Sequence, residues 1–98
     1  MADADQLYLP VDFEDDLGEF LRSKSFAVIS KPRKLAKGQI GKSHKVSKDQ
    51  YSISILEAPY EGEKSSRFLL CIAARKERAL LMEIIGILQS VGARPNPE

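Results

Sequence analysis

Residues 31–48 hold the first side chains whose type and spacing could do chemistry. Lys31, Arg33, Lys34, Lys37, Lys42, Lys45 and Lys48, with His44 among them, run without one Asp or Glu. Such a run attracts a polyanion, because each cation can neutralise one phosphate. Gly38 and Gly41 would let the backbone come close to phosphate oxygens. The segment has no aromatic residue, and Tyr51 and Tyr60 lie outside it. It therefore predicts contact with the backbone and shape of a nucleic acid rather than stacking on its bases. The same residues also suit a solvated loop whose charge keeps an edge strand from pairing with other chains.

Three further chemistries can be weighed on residue type. Ala36-Lys37-Gly38-Gln39-Ile40-Gly41-Lys42-Ser43 matches a loose phosphate-binding loop, a motif that needs a buried strand before it and an apolar-faced helix after it. The nearest strand pattern ends at Ser30, and His44 to Gln50 has no helical apolar face, so the match predicts no nucleotide site. His44 is the only histidine and Cys71 the only cysteine, which leaves no zinc-type ligand set. His44 in a polar stretch predicts no catalytic triad. Cys71, within Phe68-Leu69-Leu70-Cys71-Ile72-Ala73-Ala74, reads as a small buried hydrophobe. The acids at residues 12–19 suit the start and solvated face of a helix.

The elements that must position these residues follow from periodicity. The 98 residues fit one domain. Residues 1–10 read as a flexible lead, 11–93 as the domain, with a basic loop at 31–48, and 94–98 as a tail. Asp12 is the expected N-cap of a first helix, with Phe13, Leu17, Phe20 and Leu21 on one face. Phe26 to Ser30 reads as a strand stopped by Pro32. Residues 40–47 alternate weakly and form at most an extra edge strand. In the strand at residues 50–57, Tyr51, Ile53 and Ile55 oppose Ser52 and Ser54, as expected of a sheet with one wet face. Residues 67–74 are apolar on both parities and belong at the sheet centre. Leu80, Leu81, Ile84, Ile85, Leu88 and Val91 form a helical stripe from about Arg75, with Gly92 placed to end it. The expected fold is an α+β two-layer sandwich in α-β-β-β-α order. An N-terminal and a C-terminal helix lie on one face of a three- to four-stranded antiparallel sheet.

That order resembles double-stranded-RNA-binding domains and the small Alu-RNA-binding proteins of signal recognition particles; the latter carry a basic loop after their first strand, as at residues 31–48 here. The resemblance implies RNA binding. Separately, residues 68–74 with Leu80 to Leu88 and Gly92 are similar to the first strand and helix of ACT-type regulatory domains, which implies a small-molecule sensor.

Net charge is +1, yet seven acids and no base fall in residues 1–19 while seven bases and no acid fall in 31–48. Segregation of this kind concerns partners rather than fold. The expectation is a binding module that is not an enzyme and needs no cofactor. Its leading partner is RNA or another polyanion, bound through Lys31, Arg33, Lys34, Lys37, Lys42, His44, Lys45 and Lys48. The alternative is a protein-interaction subunit or homodimer using the open sheet face and the opposed charge blocks. No secretory leader and no membrane span are read from the sequence, so the expected compartment is cytoplasmic, or nuclear in a eukaryote.

Overall fold

The chain forms five strands, and a computed structural model describes them within residues 2–97. They are β1 (Ala2–Pro10), β2 (Ala27–Lys34), β3 (Ile40–Lys48), β4 (Tyr51–Pro59) and β5 (Ser65–Ala74). Two helices, α1 (Leu17–Ser23) and α2 (Arg78–Ser90), complete an α+β domain. All pairings are antiparallel, in the order β1-β5-β4-β3-β2. β5 is an interior strand between β1 and β4, and its residues 68–74 are apolar on both parities; the sheet centre, expected at β5, is held by β4.

One sheet face carries the core. Leu7, Leu9, Val28, Val46, Ile53, Ile55, Leu69 and Cys71 point inward and pack with Leu17 and Leu21 of α1 and the Leu80, Leu81, Ile84, Ile85 and Leu88 stripe of α2. Both helices thus cover the same face. Cys71 is fully buried, and burial pushes its thiol up to about 12. Gly92 ends α2 at φ 100°, where a side chain would strain the backbone, and the Ala93 N–H reaches the Leu88 carbonyl.

The differences from the expected order have physical causes. Residues 2–10 are not a lead but an edge strand, with Leu7 opposite Leu69. Asp and Ala have low strand propensity, so pairing with β5 decides what local preference does not. The tail is also part of the sheet: Tyr8 and Arg94 exchange two backbone hydrogen bonds on the outer side of β1. The first helix begins at Leu17, capped by Asp16 rather than Asp12, because residues 11–16 are spent turning away from β1. Asp16 Oδ2 accepts from the Glu19 N–H at 3.0 Å.

The basic segment is a hairpin, not a loop. β2 runs through Pro32 to Lys34, since an edge strand tolerates a residue with no N–H to give. The tip turns on Lys37 and Gly38, at φ 61° and 76°. β3 is not an edge strand either, because β2 flanks it on one side and β4 on the other. The long helix also starts later than expected: Arg75–Glu77 form a tight turn, and α2 proper begins at Arg78.

Candidate functional site

The hairpin divides the predicted site residues by strand parity. Val28 and Val46 face the core, so Lys31 and Arg33 of β2 and Lys45 of β3 project from the open face. Lys34 and Lys37 stand at or beside the tip. These five are exposed, and none is within ion-pair distance of a carboxylate among the described residues.

Lys42 and Lys48 have the opposite parity and turn toward the helices. Lys42 Nζ donates to Asp16 Oδ1 at 2.9 Å and Lys48 Nζ to Glu83 Oε2 at 2.9 Å. The hydrogen bond from Lys42 holds the Asp16 carboxyl below its usual range, and the same bond raises Lys42. The two charge blocks of the sequence therefore meet at Asp16 and Lys42 within one molecule.

His44 does not belong with the exposed bases. It is fully buried, facing the core between Val46 and Lys42 in parity. Ser30 Oγ lies 2.7 Å from Nδ1, and Glu57 Oε1 lies 2.7 Å from Nε2. Arg67 donates to Glu57 Oε2 at 3.2 Å and to the Phe13 carbonyl at 2.6 Å. Burial alone would raise the Glu57 carboxyl; the hydrogen bonds from His44 and Arg67 outweigh it, and the net direction is down. An ionised carboxylate only accepts, so Nε2 carries a proton toward Glu57, and Nδ1 shares a hydrogen bond with the Ser30 hydroxyl.

Serine, histidine and glutamate in hydrogen-bond contact are the residue types of a nucleophilic triad. The same contacts also have a structural role. A Cβ on Gly18 would lie 2.7 Å from Ser30 Oγ, so the backbone of α1 passes directly over the hydroxyl. The relay ties β2, β3, β4 and β5 to the residue 11–16 connection, whose Phe13 lies under the Arg67 guanidinium at 5.0 Å. Beside it is a recess of about 160 Å³ bounded by Ile40, Lys42, Glu57, Pro59 and Arg67. Sequence reasoning missed this cluster because its members are 10 to 14 residues apart along the chain. The strand parity of Lys42, His44 and Val46 was the available signal.

Gly41-Lys42-Ser43 is the interior of β3, not a loop before a helix, which removes the geometry a phosphate loop needs. Gly41 has a different reason to be glycine: a Cβ there would run into the Glu57 carbonyl oxygen and meet Leu35 Cδ1 at 2.9 Å.

The open face has its own pattern. Gln6, Leu70, Leu56, Ser43 and Lys31 form one transverse row across all five strands. Ala4, Ile72, Ser54, Lys45 and Ile29 form the next. Tyr8 stands opposite Phe68, with ring centroids 5.2 Å apart, and Tyr60 is 5.1 Å from Tyr8. Ile29 is 59% exposed, an apolar residue left in water between the cations. No strand position on this face is Asp or Glu.

Compared with protein-family models, with curated proteins and with solved structures, the chain matches none. No helix among the described residues is long and apolar enough to cross a membrane.

Proposed function

We propose that this domain is a non-enzymatic nucleic-acid-binding module, RNA being its expected ligand, and that it binds through the β2–β3 hairpin. What supports the reading is the group Lys31, Arg33, Lys34, Lys37 and Lys45: five exposed cations with no carboxylate partner among the described residues. Unpaired cations on one hairpin keep their full charge for an external anion, whereas Lys42 and Lys48 spend theirs on Asp16 and Glu83. His44 has no part in the binding surface.

Titration of a labelled RNA by fluorescence anisotropy tests it. Five phosphate contacts predict a log K against log salt slope of roughly −3.5 for a single strand. Changing Lys31, Arg33 and Lys45 together to Ala should flatten that slope by roughly 2. No binding to RNA or DNA at low salt would end the proposal.

A second reading is a protein partner on the open face, favoured by the half-buried Leu56, Leu70 and Ile72 and the exposed Ile29. A protein co-purifying in fixed ratio, with no nucleic acid, would favour it over the first.

A further inference from the structure

We infer that the open sheet face takes single-stranded nucleic acid, with the phosphates along the β2–β3 edge and the bases laid over a shelf on β4, β5 and β1. This rests on the nucleic-acid reading above and names the form of ligand that the same surface accepts. The shelf is Leu56, Leu70, Phe68 and Tyr8, and the register places it beside the cations: Lys31 is opposite Ser43, Ser43 opposite Leu56, and Leu56 opposite Leu70. Adjacent strands are about 4.8 Å apart, so the line of cations and the middle of the shelf are separated by about 10–15 Å.

Each part of the face suits a different part of the ligand. Lys31, Arg33 and Lys45 form a cationic margin, and no strand position on the face is Asp or Glu; Glu77, which shares a recess with Lys45 and Ile72, accepts from the Ser52 N–H. The apolar and aromatic shelf suits the faces of unstacked bases, which every base possesses, so recognition tolerates sequence. A duplex keeps its bases stacked inside and offers the shelf nothing but phosphate and sugar. Face and margin together therefore select single strands, which neither does alone. Leu35, folded over Gly41, borders the face on the hairpin side.

The full chain would be titrated with a labelled uridine-rich single-stranded RNA, the matching DNA, and an RNA duplex of equal length, all at low salt. Both single strands should bind about tenfold tighter than the duplex, the difference expected of roughly one stacked base. In a Tyr51→Phe background the remaining tyrosines are Tyr8 and Tyr60, both at the shelf. Their emission should be quenched by the single strands and not by heparin, which has charge without bases. Phe68→Leu keeps an apolar residue; with its thermal melt checked against the parent, it should lose single-strand affinity while duplex and heparin affinity stay. Equal affinity for single strand and duplex without quenching overturns the inference and leaves the nucleic-acid reading standing. Loss of all binding to every polyanion overturns both, as does sedimentation showing a dimer that buries the face and binds no strand.

Discussion

Glu57 holds a buried histidine with one oxygen and an arginine with the other, and each contact depends on its charge. Its folded pKa lies below the ordinary 4.5. The unfolded chain therefore takes up the proton first as the medium is acidified. The stabilisation is fully present above about pH 4.5 and is lost as pH falls through the folded value. Asp16 acts in the same sense through its bond from Lys42, though more weakly, since both groups are about half exposed. Urea midpoints should be flat from neutrality to about pH 5 and fall below that. Glu57→Ala should cost about 3–5 kcal/mol at neutral pH, because it strands a buried histidine and an arginine. Glu57→Gln should cost less and remove much of the acid slope. An unchanged slope in that variant would assign the acid sensitivity elsewhere.

At the scale of the element, Gly18 weighs two opposing effects. Alanine there would favour a seven-residue helix by about 1 kcal/mol on propensity. The added methyl would also press on Ser30 Oγ, which is held by His44 and cannot swing away without breaking that bond. Gly18→Ala should therefore destabilise the fold despite its propensity. The cost should shrink in a Ser30→Ala background, where the clashing atom is gone; a double-mutant cycle measured by thermal melts reads the coupling. A coupling near zero would mean that α1 shifts outward to make room. The edge strand β2 shows a related economy. Its Lys residues and Pro32 discourage pairing with a neighbouring chain, while the C-terminal segment at Arg94 does the same for the Tyr8 stretch of β1.

For the whole molecule, parity within one hairpin separates two populations of cation. Lys42 and Lys48, facing the helices, are consumed in holding the layers together, and Lys31, Arg33 and Lys45, facing outward, stay free. Lys48→Ala should lower stability slightly and leave the salt slope of RNA binding unchanged, since Lys48 is bonded to Glu83. Lys45→Ala should do the reverse, reducing the slope by about 0.7 with no loss of stability. Anisotropy at several salt concentrations, paired with urea melts, separates the two outcomes. Equal effects from both substitutions would remove the distinction between structural and ligand-binding lysines.

Much of the architecture is legible in the sequence wherever a local period is strong. The α2 stripe, its Gly92 stop, the half-buried β4 and the apolar run at residues 68–74 of β5 all follow from side-chain pattern, because burial on one face or two imposes its period directly. The burial of Cys71 follows in the same way. The segments set by non-local pairing were hidden. β1 is acidic and poor in strand formers, and it becomes a strand only because β5 offers it a free edge. Pro32 marks a stop by local rules and is harmless on an edge. His44 reads as one more base in a basic run, and only the pairing of β3 with β2 and β4 brings Ser30 and Glu57 to its two nitrogens. Composition determined that the chain has a strong cationic segment; tertiary structure decided which of those cations remain free, since only a sheet with one covered face sends alternate residues to protein and to solvent.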